Sequence, residues 1–128
     1  MAKKQKYQLE FPINASPHFI YQFFVTPSGL SEWFADNVNS RGEQFTFFWE
    51  GVDEESAKLL AKRQDERVRF KWSEDTEDEY FFEFKIQVDE ITKDVSVIIT
   101  DFAEPDEIES AKMLWENQFD ELKHIIGA

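Results

Sequence analysis

Asp106–Ile126, D-E-I-E-S-A-K-M-L-W-E-N-Q-F-D-E-L-K-H-I-I, is the stretch whose reading decides the architecture. On a wheel of about 100° per residue with Ile108 at the origin, Ile108, Ala111, Trp115, Phe119, Leu122 and Ile126 fall within roughly 80° of one another. An apolar stripe this continuous on an amphipathic helix has to lie against another layer. Acidic Asp106, Glu107 and Glu109 open the segment, and Lys123 and His124 close it. Both placements favour the helix dipole, and Gly127 is suited to the left-handed residue that ends a helix. About 20 residues make a rod roughly 30 Å long, enough to cross a whole sheet.

The sheet it needs lies upstream. Tyr7, Leu9 and Phe11 alternate with Gln8 and Glu10, which predicts a half-buried strand ending at Pro12. Ser16-Pro17 reads as a helix N-cap followed by proline in the first turn, with Phe19, Ile20, Phe23 and Phe24 on one side behind it. Thr26-Pro27-Ser28 restarts the pattern, and Leu30, Trp33 and Phe34 complete a second short helix. From Ala35 to Phe102 the period is two. Phe45, Phe47 and Trp49 share one phase, and Ala57, Leu59 and Ala61 form a less distinctive strand. Val68, Phe70 and Trp72 follow, then Tyr80, Phe82, Phe84, Ile86 and Val88, then Val95, Val97 and Ile99. Short successive strands of this kind predict an antiparallel meander. The expected class is α+β: a curved antiparallel sheet of about six or seven strands around a long C-terminal helix, with two short helices after the first strand.

The 128 residues predict one domain spanning 1–128. Without cysteine, disulfide and thiolate chemistry are excluded. With 27 acidic and 14 basic residues the formal charge is −13, which disfavours binding to nucleic acid or to an anionic membrane surface. No run approaches the ~20 apolar residues of a membrane helix, and Met1–Tyr7 lacks the apolar core of a secretory signal. A cytoplasmic location is therefore expected.

Ala15-Ser16-Pro17, Ile20-Tyr21, Thr26-Pro27, Leu30 and Glu32-Trp33-Phe34, together with Leu114-Trp115 and Leu122-Lys123, resemble START-like (SRPBCC) domains. The branch most resembled is that of the heat-shock chaperone ATPase activator homologues. The resemblance implies a helix-grip fold with a cavity between sheet and C-terminal helix. In the wider superfamily such cavities hold sterols, lipids, polyketides and other apolar molecules, and some members are cyclases or other enzymes. The chaperone-activating role belongs to eukaryotic members with an additional domain and is not expected here. The shared motif consists of packing residues, so it transfers no catalytic position.

The aromatic inventory of 14 Phe, 4 Trp and 3 Tyr has two readings. One is a ligand cavity lined by Trp49, Phe70, Trp72, Phe82, Phe84, Trp115 and Phe119. The other is a core those rings fill completely. Gln118, at the edge of the helix stripe, and Tyr80, at the head of an inward series, are candidates to orient a ligand. Arg63 and Asp101 extend inward phases of their strands and form a candidate polar pair. Phe48, Phe81 and Ile98 have the opposite phase and make a candidate outer apolar patch for a homodimer or another protein partner.

Catalysis has little support. His18 and His124 are the only histidines, and the P-loop, dinucleotide, G-x-S-x-G and H-E-x-x-H motifs are absent. The acidic run Glu74–Glu79 lacks the glycine and ligand spacing of a calcium loop and reads as a solvated hairpin. No catalytic residue, metal or cofactor is expected. The first functional reading is binding of an apolar or aromatic small molecule. A protein-interaction module with a filled core, chaperone-related or homodimerising, is the alternative, and a cyclase- or dehydratase-like enzyme stands third.

Overall fold

Alternation in the first strand is realised as β1 (Gln5–Ile13), with Tyr7 and Ile13 buried and Leu9 and Phe11 partly so. It runs one residue past the expected stop, because Pro12 sits on an edge strand where a missing N–H costs no ladder bond. This computed structural model describes residues 3–50, 54–75, 77 and 79–127.

Two short helices follow, α1 (Pro17–Val25) and α2 (Pro27–Trp33). Ser16 Oγ accepts the Phe19 N–H at 3.2 Å, and Thr26 Oγ1 accepts the Gly29 N–H at 2.9 Å. Thr26 Oγ1 also donates to the Gln22 carbonyl at 2.7 Å, so one hydroxyl ties the end of α1 to the start of α2. A Cβ at Gly29 would lie 2.1 Å from that carbonyl oxygen, so only glycine allows the two backbones this close.

The remaining strands are β2 (Asn37–Arg41), β3 (Gln44–Phe48), β4 (Glu55–Arg63), β5 (Arg67–Trp72), β6 (Phe82–Val88) and β7 (Val95–Ala103). All pairs are antiparallel, in the order β1-β7-β6-β5-β4-β3-β2. Strand β2 reads N-V-N-S-R and carries one buried side chain, Val38, which is why periodicity did not single it out. After a 3-10 turn over Pro105–Glu107, α3 (Ile108–Ile126) lies on the concave face with Trp115, Phe119 and Leu122 buried. Gly127 closes it at φ 74°.

The interior is aromatic. Phe84 stacks on Phe24 with centroids 4.8 Å apart, and Phe119 stacks on Phe11 at 4.5 Å. Trp33 wedges its ring edge-on between these groups, 5.6 Å from Phe84 and 6.1 Å from Phe119, and donates its indole N–H to the Phe23 carbonyl. The convex face is polar: Arg69 forks onto the buried Glu83 with two contacts of 2.8 Å, and Gln8 donates to Thr100 at 3.1 Å.

Candidate functional site

Where α2 ends, the chain turns through Phe34 and Ala35 into β2, and this turn builds the floor of a cleft beside α3. The buried Phe34 ring stacks with Trp115 of α3, at 5.7 Å and 23°, and with Trp72 of β5, at 6.3 Å and 19°. Trp49, just after β3, meets Phe34 edge-on at 5.9 Å and Trp72 at 6.3 Å. The Phe34 carbonyl accepts the Trp49 indole N–H at 2.9 Å and the Gln118 amide N–H at 3.1 Å. A single backbone oxygen thus pins α3 and the β3 end to the α2 turn.

The cleft between these groups has a volume of about 510 Å³. Its described lining is Phe34, Asp36, Trp49, Glu50, Glu55, Trp72, Asp101, Ala111, Leu114, Trp115 and Gln118. That volume is within the ordinary range for small-molecule sites.

Asp101, from β7, is the central polar group. Its Oδ2 accepts the Tyr7 hydroxyl at 3.0 Å and the Trp115 indole N–H at 3.0 Å, and its Oδ1 accepts the Phe102 N–H at 2.8 Å. Burial pushes the carboxyl above its ordinary range, and these three donors offset that only in part. Burial, joined by the charge of Asp101, likewise keeps the Tyr7 phenol protonated far above its usual range. On the opposite rim, Glu55 is raised by burial and then by the charge and hydrogen bonding of Glu74. Asp36 accepts the Glu50 N–H and so closes the turn on that side.

Five of the residues singled out from sequence meet here: Trp49, Trp72, Asp101, Trp115 and Gln118. Phe70, Phe82, Phe84 and Phe119 lie fully buried beneath, packing ring on ring rather than facing the opening. Tyr80 precedes β6 and sits under the N-terminal segment. Its hydroxyl accepts the Lys4 N–H at 3.1 Å and its ring packs on Phe102.

Arg63 is also displaced from the expected position. The register shifts between Leu59 and Ala61, so Leu59 pairs with the core residue Phe70 but Ala61 pairs with Arg69. That bulge reverses the phase and puts Arg63 opposite Arg67, at the other end of β4 from Glu55. Arg63 is 73% exposed and pairs with Glu66, so no Arg63–Asp101 pair forms.

The outer trio is not assembled either. Ile98 pairs with Glu10 and Lys85, and Glu83 and Thr100 occupy the row between it and Phe81. Phe81 is half-buried against Phe102 at 5.1 Å and covered by the Arg69 guanidinium at 3.9 Å. Phe48 lies on β3, with β4 and β5 between it and β6. His18 contacts Asp65 at 3.1 Å at the surface, and His124 is exposed in the last turn of α3. Within the acidic run, Asp75 pairs with Lys4 and Glu79 with Lys3, while Thr76 and Asp78 lie outside the described residues.

Sequence reasoning missed Phe34, Asp36, Glu50, Glu55, Ala111 and Leu114 as cleft residues. Phe34 and Ala111 were legible as apolar members of helical patterns. The acids carried no signal, because a loop carboxylate is ordinarily a solvated one.

Comparison with known proteins agrees with this architecture. The model of the START-like superfamily domain matches residues 1–128. No curated protein matches the chain. The chain is similar to BfR322 from Bacteroides fragilis, whose solution structure is 35% identical over 97% of this chain and 92% of that one, with a TM-score of 0.68. It shares its fold with the Aha1 dimer of Colwellia psychrerythraea at 20% identity, 93% of each chain and a TM-score of 0.77. It also shares its fold with CalU16 of Micromonospora echinospora at 13% identity, 96% of this chain, 74% of that chain and a TM-score of 0.71. Among the described residues, no helix is long and apolar enough to cross a membrane.

Proposed function

Because the chain belongs to the START-like superfamily, we propose that it is a cytoplasmic small-molecule-binding domain whose ligand enters between the sheet and α3. The observation that carries this reading is the open cleft of about 510 Å³ walled by Trp49, Trp72 and Trp115. Large flat rings around an opening supply apolar contact area at little entropic cost, and Asp101 and Gln118 supply fixed polar contacts. The ligand occupies this cleft rather than the deeper interior, where Phe70, Phe82, Phe84 and Phe119 leave no exposed surface.

Native mass spectrometry of the freshly purified protein tests the reading. A reproducible small-molecule adduct that dissociates on activation is expected, and Trp72→Ala should abolish it. A clean apoprotein mass, with no probe shifting the cleft tryptophans in solution, would overturn it.

A second reading, self-association or docking of another protein, is favoured by Met113 and Leu114, which are 63% and 58% exposed on α3 beside the cleft. A dimer mass in the same spectrum that Leu114→Glu converts to monomer would support it, and a monomer at all concentrations would sink it.

A further inference from the structure

We propose that the cleft selects an organic cation, an ammonium group carried on an apolar or aromatic body. The inference rests on the small-molecule reading above and names the class of molecule. It starts from the sign of the charges on an aromatic wall. The described lining includes four carboxylates, Asp36, Glu50, Glu55 and Asp101, and no Lys, Arg or His. Carboxylates alone would be an ordinary acidic surface. Here they rim a cleft lined by Trp49, Trp72 and the almost wholly buried Trp115 over a phenyl floor, and aromatic rings attract cations at their faces, tryptophan most strongly.

The state of Asp101 strengthens the argument. All three of its hydrogen-bond donors, the Tyr7 hydroxyl, the Trp115 indole and the Phe102 amide, are neutral. Lys4 is the cation whose charge reaches it, and the Lys4 ammonium is held by Asp75 at 2.7 Å. Asp101 is therefore a half-buried acid facing a cleft, without a direct counter-ion among the described residues. An ammonium against Trp72 and Trp115 would supply one. An anionic ligand such as a fatty acid would meet four like charges, three on the exposed rim and Asp101 within, and it is disfavoured on that ground. Gln118, its amide N–H already committed to the Phe34 carbonyl, keeps its amide oxygen as a further acceptor for an N–H cation.

Three probes on one phenethyl frame separate the possibilities: phenethyltrimethylammonium, its uncharged carbon isostere with a tert-butyl group in place of trimethylammonium, and phenylpropionate. Binding is followed by the indole N–H resonances of Trp49, Trp72 and Trp115 in the full chain. The ammonium should shift these resonances and bind about tenfold more tightly than the isostere, the scale of a cation–aromatic contact in a partly dry site. Added salt should weaken the ammonium alone. Glu55→Gln, a rim substitution that removes no core contact, should weaken the ammonium several-fold and leave the isostere unchanged. Equal or tighter binding of the isostere or of phenylpropionate at the same resonances would overturn the cation assignment and leave the small-molecule reading standing. No shift from any of the three would overturn both.

Discussion

The aromatic side chains around Phe84 and those around Trp72 come from equally regular patterns, one from β6 and α1, the other from β3, β5 and α3. Around Phe84 every direction is occupied. Phe24 stacks on one face, Trp33 and Trp115 present their edges, and Phe82 adjoins it along the strand. Around Trp72 the rings are as close to one another but leave a cleft open, which α3 lines with Ala111 and Leu114 beside Trp115. Apolar alternation reports which side of a strand faces inward. Whether that side is sealed or open depends on the size of what crosses it.

The same contrast orders the energetic consequences. Phe84→Ala should cost about 3–5 kcal/mol, since it removes a fully buried ring from a cluster that can collapse only in part. Urea unfolding would measure this, and a loss below about 1 kcal/mol would mean that the interior is as loose as the cleft. Trp72→Ala removes a half-buried ring, and its stability cost should be about 1 kcal/mol, a fraction of the ~1.5–3 kcal/mol for a fully buried apolar side chain. Its main effect should be on probe binding at the Trp49 and Trp115 indoles. A stability loss matching that of Phe84→Ala would identify Trp72 as core.

The smallest effect concerns Asp101, where the two regions meet. Its folded value is raised by burial above the unfolded value of about 3.9, so the folded chain binds more protons there than the unfolded one. Its contribution is fully present below that unfolded value and is lost as pH rises through the folded one. Relative to Asp101→Asn, the wild type should therefore lose stability as pH increases from about 4 across this window. Parallel thermal-unfolding curves for the two proteins across that range would show that Asp101 is as well solvated as a surface carboxylate.

Particular elements show why some features were legible and others not. The α3 stripe, the two capped helices and the four strands rich in Phe, Trp, Val and Ile each announce themselves, because their burial is one-sided and periodic. Strand β2 does not, since its polar residues are placed by pairing with β3 at the sheet edge. The bulge in β4 hides in the same way. Ala57, Leu59 and Ala61 keep perfect alternation in the chain while the register against β5 slips by one, which carries Arg63 to the convex face. Phe48, Phe81 and Ile98 share an outward phase, but strand order and stagger keep them apart.

The sequence by itself determined the order of the periodic elements, the inward faces of all but the bulged strand and the negative charge, because each is a property of neighbouring residues or of composition. Only the tertiary structure decided which aromatic rings seal the interior and which wall a cleft. It also brought Asp101, Tyr7 and Trp115 into one hydrogen-bonded group and set Asp36, Glu50 and Glu55 around the opening. These outcomes depend on strand register, a bulge and the path of one helix across a curved sheet. Each of those brings together residues far apart in the chain, and local periodicity carries no record of such distances.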